Sequence, residues 1–173
     1  MKKKTVFICQ AGVIAAIYAG LTYLSSVFGI AYGAVQFRFS ELMTILPLFT
    51  PAAVPGLFIG CIVANIASPL VLVDVVFGSI ATLLAAACTR ALRRFCIKDL
   101  PLAAFFPPVI FNMLIVGWEL TIFVEEQASL AVFAYNAFCI GLGEAVICLI
   151  FGIPFFYFIK RTRIFNFQNP ERK

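Results

Sequence analysis

The chain has 173 residues, 63% hydrophobic and only 12% charged, with a mean hydropathy of +1.05, a usage that belongs in a bilayer rather than in water. At ~20 residues per crossing, this length allows about six membrane helices and leaves no room for a soluble receptor or ATPase domain. The sequence holds no GxxxxGK[ST] loop and no histidine, which removes nucleotide hydrolysis by this chain and nearly all zinc chemistry; its net charge of +5 is spread over loop positions and forms no nucleic-acid patch.

Lys2, Lys3 and Lys4 precede a first apolar run, Thr5 to about Phe28, which exceeds the ~7–15 residues of a signal-peptide core. Along it Ala11, Ala15 and Ala19 recur every four residues, with Gly12, Ala16 and Gly20 beside them. Small residues let helices in lipid approach closely, so this face expects another helix, either of this chain or of a second subunit. A loop from Gly29 to Phe39 carries Gln36, Phe37 and Arg38. A second helix is predicted from Glu41 to Phe49 and a third, carrying Asn65, after the turn Thr50-Pro51-Ala52-Ala53-Val54-Pro55-Gly56. The 34 residues from 40 to 73 reach only about 51 Å against the ~60 Å of two crossings. At least one of these helices is therefore short, the second being the candidate; a re-entrant hairpin is the alternative.

A fourth helix runs from about Asp74 to Arg90, where Arg93, Arg94 and Lys98 follow. The fifth runs from Pro101 to about Val124, with Pro107 and Pro108 expected to kink its early part, and it carries Asn112, Trp118 and Glu119. Glu125, Glu126 and Gln127 make an acidic loop. The sixth, with Asn136 and Glu144, lies within Leu130 to Lys160. That span exceeds one crossing, so its first turns are expected to project outward or to join the loop. Lys160, Arg161, Arg163, Arg172 and Lys173 close the chain. By the positive-inside rule the three basic clusters and both termini face the cytoplasm. The predicted fold is an all-α integral membrane bundle of six crossings in a single domain, residues 1–173. The six cysteines include no CxxC pair and read as apolar packing residues, and no cofactor or metal is expected.

Charges inside a bilayer cost several kcal/mol unless paired or hydrated, so each is a functional candidate. Asp74, Glu119 and Glu144 each stand sixteen residues from a cytoplasmic anchor, namely Arg90, Ala103 and Lys160, which places all three about 24 Å above the inner boundary. Asn112 shares the stripe of Glu119, and Glu41, Asn65 and Asn136 complete a polar cavity that opens outward. With Arg38 opposed by Glu41, Asp74, Glu119, Glu125, Glu126 and Glu144, the outer half carries −5. An anion would be repelled there; a cation or a donor-rich molecule would pair well, and Trp118, Phe37, Phe39 and Tyr135 offer aromatic faces.

Several stretches carry a resemblance: Ala11, Ala15 and Ala19; Gln36-Phe37-Arg38-Phe39-Ser40-Glu41; Leu46-Pro47-Leu48-Phe49 with Thr50 to Gly60; Cys61 through Asn65; Asp74 with Phe77-Gly78-Ser79-Ile80-Ala81-Thr82-Leu83; and later Asn136-Ala137, Gly143-Glu144 and Gly152-Ile153-Pro154. On these the chain resembles the QueT family, substrate-binding (S) components of energy-coupling factor (ECF) transporters. The resemblance implies an S-component bundle in the cell membrane that captures a queuosine precursor from outside. Its cargo would be a 7-deazaguanine such as 7-aminomethyl-7-deazaguanine or queuine. It further implies a coupling transmembrane subunit, met through Ala11, Ala15 and Ala19, and two ATP-binding cassette ATPases. The cargo's guanine edge and cationic amine suit carboxylates, which assigns recognition to Glu41, Asp74 and Glu144, orientation to Arg38, Glu119, Asn65, Asn112 and Asn136, and stacking to Trp118. The competing readings are a proton-coupled carrier or channel with Glu144 or Glu119 as relay, and an S component for another cationic vitamin such as thiamine. Without histidine, a GxSxG elbow or paired aspartates, an intramembrane enzyme is disfavoured.

Overall fold

A computed structural model describes residues 3–32, 35–96 and 99–162; Lys2, Lys98, Arg163, Arg172 and Lys173 lie outside them. Among the described residues the chain forms six helices and no strand: α1 (Lys3–Val27), α2 (Phe39–Leu48), α3 (Ala53–Asn65), α4 (Val71–Leu92), α5 (Leu102–Phe123) and α6 (Leu130–Thr162). Four of them, α1, α4, α5 and α6, are long and apolar enough to cross a membrane, while α2 and α3 are shorter apolar helices.

Packing runs α1 on α3, α3 on α4, α4 on α5 and α5 on α6, an open ring into which α2 is inserted against α1, α3, α4 and α6. Eight of the ten α2 residues are buried, and the helix is wound throughout as 3-10. At ~2.0 Å rise its ten residues cover about 20 Å, and the thirteen of α3 cover about the same at 1.5 Å. Both segments of the 40–73 stretch are therefore short, where the expectation singled out the second. At the end of α2 Arg90 Nη1 donates to Pro47 O at 2.8 Å, and the Phe49, Phe105 and Phe156 rings cluster with centroids 5.3 and 6.1 Å apart along the chain of contacts. The apolar core thus lies at the basic end of the bundle, with Lys3, Lys4, Arg93, Arg94, Lys160 and Arg161; the polar interior lies towards the end that carries Glu125 and Glu126.

The lane Ala11, Ala15, Ala19 is buried in this chain. A Cβ added at Gly56 would come 2.8 Å from Ala11 O, and one at Gly60 2.9 Å from Ala15 O, so α1 and α3 touch backbone to backbone along it. This lane packs within the chain: α3 presents glycines at the matching spacing. The adjoining lane Gly12, Ala16, Gly20 is exposed.

Two helix boundaries also differ from expectation. Pro107 and Pro108 occupy the first turn of the α-helical part of α5, after a 3-10 turn at Leu102–Phe105. A missing N–H has no intrahelical partner to lose there, so the prolines start the helix instead of kinking it. α6 is helical from Leu130, because Ser129 caps it by accepting from the Val132 N–H at 3.2 Å; its first turns are not loop. A π-helical segment, Val146–Phe151, interrupts it midway.

Candidate functional site

The polar residues of the interior meet at two depths. The deeper group gathers on α2. Tyr18 of α1 donates to Glu41 Oε1, Thr22 Oγ1 lies 2.8 Å from Ser40 Oγ, and Thr44 Oγ1 donates to Glu41 O at 2.6 Å. Across from Glu41, Asn112 Nδ2 of α5 donates to Glu144 Oε1 at 2.7 Å, and Cys148 Sγ lies 3.8 Å from Glu144 Oε2 and 3.8 Å from Thr44 Oγ1. Glu41 Oε2 has no hydrogen-bond partner among the described residues. Because these groups come from α1, α2, α5 and α6, insertion of α2 into the open ring is what assembles them.

The shallower group gathers on the first turn of α4. Ser68 donates to Asp74 Oδ2, and Asn65 Nδ2 donates to Asp74 O at 2.7 Å. Glycine at 78 makes room for that amide, since a Cβ would fall 2.6 Å from Asn65 Nδ2. Asn65 Oδ1 accepts from Arg38 Nη1 at 3.4 Å, Arg38 Nε donates to Ala31 O at 3.0 Å, and the guanidinium carbon lies 4.9 Å from the Tyr32 ring centroid. Arg38 is therefore held by neutral groups, within electrostatic reach of Glu41, Glu119 and Glu144. Glu119 is fully buried with its carboxyl beside that of Asp74. Asn136 Nδ2 donates to Thr121 Oγ1 at 3.2 Å.

Above this group lies a cavity of about 470 Å³, walled in part by Tyr32, Gln36, Asp74, Asn136 and, from the end of α5, Glu125. Its size falls within the ~300–1,000 Å³ of small-molecule sites. The arrangement offers carboxylate and amide acceptors, with few donors, to a molecule that enters from the acidic end.

Arg38, Glu41, Asn65, Asp74, Asn112, Glu119, Asn136 and Glu144 are all buried and all belong to these two groups. Trp118 does not join them: it is 51% exposed on the outside of the bundle, edge-on to Phe133 with ring centroids 5.8 Å apart. The single acidic level is also corrected. Asp74 and Glu119 share one, but Glu144 pairs with Asn112, seven residues or about 10 Å below Glu119 on α5. The stretched 3-10 start of α5 and the flatter π turns of α6 move the two levels apart in the direction seen, by part of that distance. Sequence reasoning also missed Tyr18 and Thr22, whose hydroxyls are aimed inward from α1, and Tyr32, Ser68 and Thr121. A tyrosine at helical register with the buried Ile14, amid small residues, was the available signal for the first; the loop residues show no periodicity.

Residues 8–161 match the model of the QueT transporter family. The queuosine precursor transporter QueT of Lactococcus lactis subsp. cremoris is 35% identical over 82 residues, 47% of this chain and 48% of that protein. The aligned part thus spans about half the length of this curated relative. No solved structure matches. The chain belongs to the QueT transporter family, and with its long apolar helices it is a multi-pass membrane protein.

Proposed function

We propose that this QueT-family chain is the substrate-binding component of an ECF-type transporter and captures a queuosine precursor, a 7-deazaguanine such as 7-aminomethyl-7-deazaguanine or queuine, from outside the cell. The observation that carries the reading is the concentration of buried carboxylates beneath a 470 Å³ cavity at the end opposite the basic residues. In this reading the basic end and both termini face the cytoplasm, all six helices together form one domain, and the cavity opens outward. The guanine edge presents N–H donors, which carboxylates accept with charge-assisted hydrogen bonds. Asp74, in the cavity wall, meets the ligand directly and Asn136 orients the ring; Glu41, Glu144 and Asn112 lie beneath and support that level, and Asn65 fixes Arg38 against the first turn of α4. The relative's name, queuosine precursor transporter, supports the cargo class.

Energy would come from a coupling transmembrane subunit and two ATP-binding cassette ATPases, since this chain has no phosphate-binding loop. The lane open for the coupling subunit is Gly12, Ala16, Gly20, because Ala11, Ala15 and Ala19 are covered by α3. Calorimetric titration of the purified chain with 7-aminomethyl-7-deazaguanine, without ATP, tests the binding claim: saturable binding supports it, and no binding of any queuosine precursor removes it. Vesicle uptake tests the coupling. Ala16→Leu is expected to abolish ATP-driven uptake by the complete complex while leaving ligand affinity intact, and uptake by this chain alone would contradict the ECF mechanism.

A further inference from the structure

Glu119 is the least accounted-for group in the molecule. It is 0% exposed, no N–H or hydroxyl group of the described residues donates to either carboxyl oxygen, and what it has within hydrogen-bond reach is the carboxyl of Asp74. Its neighbour is another carboxyl, Asp74, which gives one oxygen to Ser68 and lines the cavity. In a dry interior like charges repel, so the two carboxyls can satisfy each other only by sharing a proton. Arg38, the one buried cation among the described residues, is turned to Ala31 O, Asn65 Oδ1 and the Tyr32 ring instead. Shape alone would be served as well by leucine or glutamine at this position. What the pair lacks is a positive charge with several donors.

We propose that Asp74 and Glu119 together seat an alkylammonium group of the ligand, and that Glu119 is the residue that selects a cationic ligand over a neutral one with the same ring. An alkylammonium carries three donors and no acceptor, so it can take the place of that proton and bridge the two carboxylates. Asp74 presents the seat to the cavity, and Glu119, behind it on α5, completes it. The deeper carboxylates compete less: three of the four oxygens of Glu41 and Glu144 already accept from Tyr18, Asn112 and Cys148. Gln36 and Asn136, in the cavity wall, are left for the neutral part of the molecule.

The inference rests on the 7-deazaguanine reading above, and its test separates the two. The full chain, as wild type and as Glu119→Gln, is titrated with 7-aminomethyl-7-deazaguanine, whose amine is cationic, and with 7-cyano-7-deazaguanine, which has the same ring and a neutral nitrile. Wild-type protein is expected to prefer the amine by about ten- to hundredfold, the worth of one charge-assisted pair. Glu119→Gln should lose most of that preference by weakening amine binding, with nitrile binding changed by less than about twofold. Equal wild-type affinity for the two compounds overturns the inference and leaves the 7-deazaguanine reading standing, as does a Glu119→Gln variant that weakens both equally or keeps the preference. No wild-type binding of either compound overturns both. If the variant does not fold, the wild-type amine-to-nitrile ratio decides alone.

Discussion

Glu41 and Glu144 gather deeper in the bundle than Asp74 and Glu119, with Glu144 paired to Asn112, seven residues below Glu119 on α5, and the chain treats the two pairs in opposite ways. Three of the four oxygens in the deeper pair meet donors of the same chain: Tyr18, Asn112 and the Cys148 thiol. In the shallower pair Ser68 serves one Asp74 oxygen, and among the described residues Glu119 has only the Asp74 carboxyl beside it. A buried carboxylate supplied with donors is part of the scaffold; one whose partner is another carboxyl, itself in the cavity wall, is matched to something that arrives. Identical residue types at neighbouring depths can thus divide between holding the fold and receiving a ligand.

The largest effect is expected where both pairs depend on one contact. Replacing Gly60 with leucine puts a side chain where even a Cβ would lie 2.9 Å from Ala15 O and from Tyr18 Cβ. α1 must leave α3, and Tyr18 leaves Glu41 with it. A loss of about 3 kcal/mol, typical of severe overpacking, should appear as aggregation in size-exclusion chromatography and as lost ligand binding; a monodisperse variant that binds normally would mean that α1 is not held here. Next, Asp74→Asn should weaken binding of 7-aminomethyl-7-deazaguanine about ten- to hundredfold, or about 1.5–3 kcal/mol, with the ligand-free melting temperature little changed. Tyr18→Phe should do the reverse. It strips a donor from a buried carboxylate, so ligand-free stability should fall by about 1–3 kcal/mol in chemical unfolding; if instead it leaves stability unaltered, the deeper pair is not scaffold. Smallest of all, Trp118→Ala should change affinity by less than about twofold, since its ring lies outside the bundle. A larger loss in calorimetry would return it to the site.

The polar residues themselves were legible because a bilayer makes each of them conspicuous, and the arithmetic of 34 residues for two crossings exposed the short segments around Thr50. What could not be read was the winding. Nothing in Phe39–Leu48 distinguishes a 3-10 helix from an α-helix by composition, yet that winding lets ten residues cover about 20 Å and puts Glu41 opposite Glu144. The π segment at Val146–Phe151 is equally silent in sequence, and it upset the depth count. The alanine lane on α1 was read correctly as a close-packing surface, but its partner depended on glycines 56 and 60 falling at the same height on α3. Trp118 was misplaced because aromatic rings suit lipid and ligand alike, and only the rotation of α5 decides between them.

That this chain itself binds a queuosine precursor is tested most directly by native mass spectrometry of the protein purified from cells fed 7-aminomethyl-7-deazaguanine, wild type beside Asp74→Asn. The expected result is a one-to-one adduct of that compound's mass on the wild-type protein, released on activation and much reduced in the variant. A wild-type protein that emerges without the compound, or one that carries it equally in the variant, would contradict the reading.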